Sequence, residues 1–287
     1  MEIKKVLIVG SGQMGSGIAH VMAQKGIKIS MRDASMEIAE KGLASIEKNL
    51  NRQLSKGRIT EELKELTLSN INIGGEFTKE DCDVDLAIEA VTENMELKVK
   101  IFKKLDEWCP EDTILATNTS SLPVTALGSI TKRPEKMVGM HFFSPVFIMR
   151  LVEVVKSLAT SEETVATIME LGRFIGKDPV EVTDYPGFVG NRIMVPMMNE
   201  AITTLYEGVA DAETIDAVAK LGFNHPIGPL RLCDAIGNDT ILAVMEVLYE
   251  GFGDPKYRPC PLLRKMVEAG WLGKKSGRGF YNDYKKK

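Results

Sequence analysis

An apolar run that breaks into three spaced glycines constrains the fold of this chain of 287 residues more than any other feature. Residues 6–9 read Val-Leu-Ile-Val, which is typical of a buried parallel strand, and Gly10, Gly12 and Gly15 follow at once. In a strand–turn–helix unit the first glycine permits the tight turn, the second lets the backbone approach a pyrophosphate, and the third lets helix and strand pack closely. The helix that follows offers its N–H groups to the phosphates. The pattern predicts a nucleotide-binding unit.

A carboxylate at the end of the second apolar stretch supports this prediction. Residues 27–31 lead to Asp33, near the spacing expected for an acid that binds a ribose 2′-hydroxyl. The alternative is that Asp33 only caps the helix that starts near Ser35. Because a carboxylate repels a 2′-phosphate, the sequence favours NAD over NADP, with the neighbouring Arg32 as the opposing feature.

Composition and charge argue against several classes of protein. The net charge of -4 gives no basic surface for nucleic acid. The four cysteines are scattered without a Cys-x-x-Cys pair, which argues against a structural metal site or a disulfide scaffold and fits a reducing cytosol: Cys82, Cys109, Cys233 and Cys260. Residues 1–20 lack a signal-peptide core, and no apolar run is long enough for a membrane span. We expect no metal, no membrane association and a cytoplasmic location.

Strand and helix patterns alternate over the first two thirds of the chain. Predicted strands at 71–73, 85–91, 113–117, 137–140 and 151–155 are separated by helical patterns, which predicts a mostly parallel sheet with helices on both faces. The sequence thus predicts an α/β chain whose Rossmann-like NAD-binding domain spans residues 1–186.

From Phe188 onward only helical patterns occur, at about 188–207, 212–221, 238–250 and 261–269. They predict an all-helical domain over residues 187–287. The three lysines at 285–287 are expected to be a disordered, solvated end.

Of the three histidines, His141 is the one best placed for chemistry. It stands at the carboxyl end of a predicted parallel strand, where open α/β sheets bind ligands, and an imidazole there can exchange a proton with an alcohol or carbonyl. Glu153, inside an apolar strand, would fix the tautomer of this histidine and stabilise the imidazolium. The alternative is that Glu153 lies on an edge strand and faces water. His20 is expected to be packed or exposed without a chemical role, and His225 lies in a predicted loop.

Further polar residues stand near the predicted strand ends and helix ends. Asn118 and Ser120 follow another strand, in position to bond nicotinamide or a substrate oxygen, and Asn191 just past the domain junction could reach back into the cleft. Arg52 and Lys56 lie near the end of the long second helix. They form either an ordinary solvated face or a patch for an anionic, phosphate-bearing substrate.

Taken together, these motifs resemble the L-3-hydroxyacyl-CoA dehydrogenase family, and especially its short bacterial 3-hydroxybutyryl-CoA dehydrogenases, over residues 3–284. The resemblance rests on Gly-Ser-Gly-Gln-Met-Gly at 10–15, Asn-Thr-Ser-Ser at 118–121, His-Phe-Phe at 141–143, Leu-Val-Glu-Val at 151–154, Pro-Gly-Phe-Val at 186–189 and Asn-His-Pro-Ile-Gly-Pro at 224–229.

The resemblance implies NAD-dependent, reversible oxidation of a (3S)-3-hydroxyacyl-CoA to the 3-ketoacyl-CoA, with His141 as acid and base and Glu153 as its partner. It implies substrate contacts at Ser120 and Asn191, and CoA contacts at the basic residues of the second helix. It assigns contacts with NAD to a larger set: Gly10, Gly12, Gln13, Met14, Gly15, Asp33, Glu93, Lys98, Asn118 and Ser120. The helical domain is the family's dimerisation unit, so the resemblance also implies a homodimer.

Two alternatives to a short-chain 3-hydroxyacyl-CoA dehydrogenase stay open. One keeps the fold but acts on a free 3-hydroxy acid or sugar acid, and the other binds NAD without turnover. The chain departs from the family pattern at residues 144–150, where Ser144 replaces an Asn, and at 231–238, where Arg231 replaces a Glu. Acyl-chain preference is therefore not predicted. With no hydratase-like segment in the sequence, a multifunctional β-oxidation enzyme is not expected.

Overall fold

The computed structural model describes residues 2–284, and the predicted solvated end at 285–287 lies outside them. The described residues contain eight strands and eleven α-helices. They divide into two compact units between Tyr185 and Pro186.

One sheet in the order β3-β2-β1-β4-β5-β6-β7-β8 forms the centre of the first unit. Strands β1 to β6 are parallel, β7 is antiparallel to β6, and β8 is parallel to β7. This confirms the predicted Rossmann-type, mostly parallel sheet. The strands are β1 Lys5–Val9, β2 Lys28–Arg32, β3 Ile71–Gly74, β4 Leu86–Glu89, β5 Ile114–Thr117, β6 Met137–Phe142, β7 Leu151–Lys156 and β8 Asp178–Thr183.

Helices cover the sheet of the first unit and make up the second. The first unit has α1 Gln13–Ala23, α2 Met36–Leu54, α3 Glu61–Ser69, α4 Met95–Trp108, α5 Val124–Gly128 and α6 Glu162–Phe174. The second has α7 Gly190–Tyr206, α8 Ala212–Gly222, α9 Pro229–Ile236, α10 Asn238–Phe252 and α11 Pro261–Glu268. As predicted, the described part of the second unit contains no strand beyond an isolated bridge between Gly273 and Arg278.

Three elements of the structure are not predicted by the sequence patterns: β8, α5 and α9. The patterns do not predict β8, which alternates polar residues and carries Pro179. Such a strand is tolerated here because β8 is the edge of the sheet. They also miss the short helix α5. Helix α9 has a loop-like Pro-Ile-Gly-Pro before it, yet Pro229 occupies the first helical turn, where its missing N–H is not needed.

Two buried carboxylates attach the C-terminal segment to the helices of the second unit. Asp216 accepts hydrogen bonds from the first N–H groups of α9 and from the Tyr281 hydroxyl at 2.7 Å. Asp234 accepts from the Tyr281 N–H at 2.9 Å and from the Tyr284 hydroxyl at 3.1 Å. Arg231, one of the departures from the family pattern, stacks 3.4 Å from the Tyr281 ring centroid and stabilises the same segment.

Candidate active site

A cavity of about 740 Å³ opens at the carboxyl ends of β1, β2 and β4. Strand order reverses between β1 and β4, and open α/β sheets bind ligands at such a switch point. Gly10, Gly12 and Asp33 line the cavity together with Ile38 of α2 and residues 90–92 after β4. The structure therefore brings two of the predicted glycines and the predicted acid to one site.

The three glycines are required for different reasons. Gly10 has φ +106°, and a Cβ there would lie 2.6 Å from the Ala90 carbonyl oxygen. A Cβ at Gly15 would lie 1.8 Å from the Gly10 carbonyl oxygen, so the close helix–strand approach needs glycine. Gly12 is different: its φ of -62° suits any residue, and a Cβ there would meet no atom within 4 Å. Space is thus left at Gly12 for a ligand, which fits the close approach of a pyrophosphate.

Replacing Gly12 with alanine is expected to separate cofactor binding from folding. The free energy of unfolding should fall by only about 1 kcal/mol, the typical cost of alanine at a helix N-cap, where glycine is preferred. NADH affinity should fall about tenfold, because a methyl group forced into packed contact costs about 1–3 kcal/mol. Thermal unfolding and calorimetric NADH titration measure the two effects. The matched variant Gly15→Ala should lose stability instead, and equal loss of stability in both variants would contradict this assignment.

Asp33 is held in place by its neighbours. Its Oδ2 accepts hydrogen bonds from the Ser11 N–H at 2.6 Å and the Ser11 hydroxyl at 2.8 Å, and its Oδ1 accepts from the Ala34 N–H. The cap of α2 is Ser35, whose hydroxyl accepts from the Ile38 N–H. The structure thus does not support the alternative that Asp33 only caps α2.

A buried charge network lies beside the loop that follows β5. Lys98 is 1% exposed and donates to both carboxylate oxygens of Glu89, at 2.7 and 2.8 Å, while its Nζ lies 3.3 Å from Glu93. Thr117 also donates to Glu89. Burial raises the pKa of the Glu89 carboxyl, and the adjacent Lys98 ammonium opposes that shift. Lys98 is therefore a buried cation that connects Glu89 with the more exposed Glu93.

Glu93 connects this network to the candidate substrate residues. Its carboxylate accepts from the Thr119 hydroxyl at 2.9 and 3.0 Å and from the Ser120 N–H at 2.6 Å. The Asn118 side-chain oxygen accepts from the Phe142 N–H at 3.0 Å, which ties this loop to the end of β6. The sequence motifs did not identify Glu89 as a member of this site. Its signal was an acid ending a four-residue apolar strand, nine residues before a lysine.

His141 and Glu153 lie directly opposite each other in the antiparallel β6–β7 pair. Residues in that register project to the same face of a sheet, and the His141 Nδ1 lies 2.7 Å from the Glu153 Oε2. Both side chains are buried, and β8 covers the far edge of β7. The structure therefore contradicts the alternative of a water-facing Glu153. With Nδ1–H donated to the carboxylate, Nε2 of the neutral ring is the basic nitrogen.

The residues around the family departure at 144–150 contact α1. The Ser144 hydroxyl accepts from the Gln13 side-chain amide at 2.6 Å, and the Phe147 ring stacks on His20 at a centroid distance of 5.9 Å. His20 is buried, and burial together with the charge of Lys177 lowers its pKa to about 4. A neutral, packed ring agrees with the expectation of no chemical role for His20.

A second cavity, of about 250 Å³, lies between this segment and α2. Ser45 and Asn49 of α2 line it. Arg52 lies three residues beyond Asn49 on α2, and Lys56 lies in the turn that follows the end of α2 at Leu54; both are exposed. Neither forms an ion pair with another residue in the described range.

The remaining predicted residues lie elsewhere in their units. Met14 is half-buried and packs against the core of the first unit. Asn191 is the second residue of α7 and is buried in the second unit. Across residues 2–284 no helix has the length and apolar character to span a bilayer, and no group of three candidate side chains is arranged to hold a metal ion.

Comparisons with known proteins match this architecture on both units. Residues 5–185 match the model of the 3-hydroxyacyl-CoA dehydrogenase NAD-binding domain, and residues 187–283 match that of the 3-hydroxyacyl-CoA dehydrogenase C-terminal domain. The chain is 55% identical to a probable 3-hydroxybutyryl-CoA dehydrogenase of Bacillus subtilis, over 100% of this chain and 99% of that protein. It is 50% identical to a 3-hydroxybutyryl-CoA dehydrogenase of Clostridioides difficile, over 98% and 100% of the two chains.

A solved structure is similar to this chain in both sequence and fold. The (S)-3-hydroxybutyryl-CoA dehydrogenase of Ralstonia eutropha is 49% identical and superposes with a TM-score of 0.95, over 99% of this chain and 100% of that one. Sequence, domain order and fold agree over the full length. The chain belongs to the 3-hydroxyacyl-CoA dehydrogenase family, among its short bacterial forms, and is an NAD-dependent dehydrogenase.

Proposed function

We propose that this dehydrogenase catalyses the reversible oxidation of (3S)-3-hydroxybutyryl-CoA to acetoacetyl-CoA, as a step of butyrate and fatty acid metabolism. The observation that carries the proposal is the buried His141–Glu153 pair, with 2.7 Å between Nδ1 and Oε2. The names of relatives at 50–55% identity support the choice of substrate. Four buried free cysteines within the described residues are consistent with a cytoplasmic, reducing location.

The proposed chemistry follows from the orientation of the imidazole. In oxidation, Nε2 of His141 accepts the proton of the 3-hydroxyl, and Glu153 stabilises the imidazolium that forms. NAD held by the glycine loop and Asp33 would supply the acceptor for the hydride that leaves C3. In reduction, the same imidazolium returns the proton to the ketone oxygen. Ser120 and Asn191 are proposed to hold the reacting oxygen or the thioester.

The proposed cofactor is NAD rather than NADP. Asp33 lines the cavity as a carboxylate fixed by Ser11, in a place where a 2′-hydroxyl can donate to it and a 2′-phosphate is repelled. The glycines and the space at Gly12 fit the pyrophosphate. Glu93 and Asn118, which fix the loop beside β5 and β6, are proposed to meet the nicotinamide end.

Arg52 and Lys56 are proposed to bind the phosphates of CoA, because both are exposed and lie shortly after Ser45 and Asn49, the α2 residues that line the second cavity. The double variant Arg52→Ala/Lys56→Ala should raise KM for acetoacetyl-CoA about tenfold with kcat unchanged, since each exposed ion pair contributes up to about 1 kcal/mol. Initial rates at varied acetoacetyl-CoA measure this. Lys41→Ala is the matched control, because Lys41 is exposed on α2 but paired with Glu37. Equal KM values for the double variant and the control would disprove the assignment.

The chain is further proposed to form a homodimer through its helical unit. Ile193, Val218, Leu221 and Phe223 are each more than half exposed on that unit. Large apolar side chains that are exposed on one domain are candidates for a protein interface. Sedimentation velocity of the purified protein measures the mass directly.

The experiment that tests the proposed function is NADH oxidation by the purified protein with acetoacetyl-CoA, beside free acetoacetate and an NADPH control. Fast turnover with acetoacetyl-CoA and NADH is expected. Turnover with the free acid alone would favour the free 3-hydroxy acid dehydrogenase instead. Tight NADH binding without turnover of either substrate would favour a non-catalytic relative.

A further inference from the structure

Arg32, the residue next to Asp33, has its guanidinium fully engaged inside the protein. Nε and Nη2 donate to Asp81 Oδ1 at 3.0 and 2.5 Å, and Nη2 also donates to the Asn72 side-chain oxygen at 2.7 Å. Nη1 donates to the backbone carbonyls of Asn72 and Met31, at 3.1 and 3.3 Å. A guanidinium has five N–H groups, and these five hydrogen bonds engage all of them. The one arginine that lines the cavity therefore has no donor left for a ligand.

Asp81 is the charged acceptor that holds the Arg32 guanidinium. Besides Arg32, its carboxylate accepts from the Ser30 hydroxyl at 2.9 Å and from the Thr78 N–H at 3.0 Å. The Arg32 and Asp81 side chains are only 12% and 13% exposed. An ion pair so shielded is held more firmly than a surface pair, and the Ser30 and Thr78 contacts fix the position of the acid.

The cavity would otherwise suit a phosphate on the adenosine ribose. Lys100, Lys103 and Lys104 of α4 line it together with Arg32, whereas its acidic lining residues are Asp33 and Glu76. Bidentate guanidinium contacts are the usual means by which proteins bind phosphate groups. Acceptance of a 2′-phosphate therefore depends on Asp33, which repels it at the end of β2, and on whether the neighbouring Arg32 guanidinium is available to bind it.

We infer that Asp81 is a specificity-determining residue of this site, which keeps Arg32 against the β2–β3 edge and so withholds its guanidinium from a 2′-phosphate. Asp81 acts by positioning, without touching the cofactor. The inference rests on the proposed NAD site and deepens it: the preference for NAD has two layers, repulsion by Asp33 and sequestration of Arg32 by Asp81. Removing the first layer alone leaves the second in place.

The test compares calorimetric binding of 2′,5′-ADP and 5′-AMP to three variants of the full chain. Asp33→Ser is the reference, Asp33→Ser/Asp81→Asn releases Arg32, and Asp33→Ser/Asp81→Asn/Arg32→Leu removes it. The second variant should bind 2′,5′-ADP about tenfold or more tighter than the reference, since a hydrogen bond to a charged group contributes about 1.5–3 kcal/mol. The third should return to the reference affinity, and 5′-AMP should bind all three equally.

Two outcomes would overturn the inference: no gain for 2′,5′-ADP in the second variant, or a gain that persists without Arg32. Asn72→Ala in the Asp33→Ser background is the additional variant if Asp81→Asn impairs folding. Asn72 is exposed, and its side chain holds the opposite side of the guanidinium. This variant should bind 2′,5′-ADP about threefold tighter, and no gain there counts against the inference too. Failure of the unmodified protein to bind 5′-AMP would instead contradict the proposed NAD site itself.

Discussion

Replacing His141 with glutamine is expected to lower kcat for acetoacetyl-CoA reduction about a thousandfold, in the middle of the range for loss of a general acid. Glutamine approximates the length of the imidazole and can still bond Glu153, but it cannot deliver a proton at neutral pH. The affinity for NADH should stay within about twofold, because His141 is on β6 and does not line the cavity of the glycine loop. Stopped-flow reduction and calorimetric NADH titration measure the two quantities.

The His141 experiment separates acid–base chemistry from damage to the fold. Retained NADH affinity with a thousandfold loss of kcat agrees with a proton transfer by His141. A loss of less than about tenfold would mean that another group or water supplies the proton. A parallel loss of NADH affinity and of thermal stability would mean that the variant disturbs the sheet rather than the chemistry.

Replacing Glu153 with glutamine is expected to have the second largest effect, a loss of about a hundredfold to a thousandfold in kcat. The amide removes the negative charge that stabilises the imidazolium, and its NH₂ group can donate to Nδ1, which moves the ring proton to the wrong nitrogen. Part of the lost rate of reduction should return at lower pH, where the imidazole is protonated without help from a carboxylate. A pH–rate profile of acetoacetyl-CoA reduction records both effects.

Glu181→Gln is the matched control for this experiment. Glu181 lies on the neighbouring strand β8 but is exposed, so its rate and pH profile should equal those of the unmodified protein. If Glu153→Gln lost rate equally at every pH, Glu153 would be shown to act only through packing. An unchanged rate would remove it from the proposed mechanism altogether.

The glycine loop could be predicted because Gly10, Gly12 and Gly15 follow one apolar strand at a fixed spacing, which only a few backbone arrangements satisfy. It also placed His141 at a strand end, since four apolar residues in a row before a histidine are visible without a structure. The position of Glu153 was different. An apolar strand that contains one acid is compatible with either a buried ion pair or an edge strand that faces water. The presence of β8 beside β7 excludes the edge-strand alternative. The alternating polar residues of β8 do not identify it as a strand in the sequence.

The side-chain contacts of the candidate site could not be predicted, because they join residues that are distant in sequence. Asp81 and Arg32 are 49 residues apart, and their pairing follows from the parallel β2–β3 register together with the short turn after β3. No local pattern encodes such a contact. Likewise, the family resemblance implies a cofactor contact at Lys98, but no sequence pattern predicts that its ammonium is buried against Glu89 and lies 3.3 Å from Glu93. Sequence spacing can place residues near the end of a strand, but it does not predict how deeply each side chain is buried.

The most direct test of the account is a single experiment on the unmodified protein: reduction of acetoacetyl-CoA by NADH, followed by chiral analysis of the 3-hydroxybutyryl-CoA formed. The account predicts rapid NADH consumption and a product of S configuration, with both lost in His141→Gln. Reduction of free acetoacetate in preference to the CoA thioester, or undiminished turnover in His141→Gln, would contradict it.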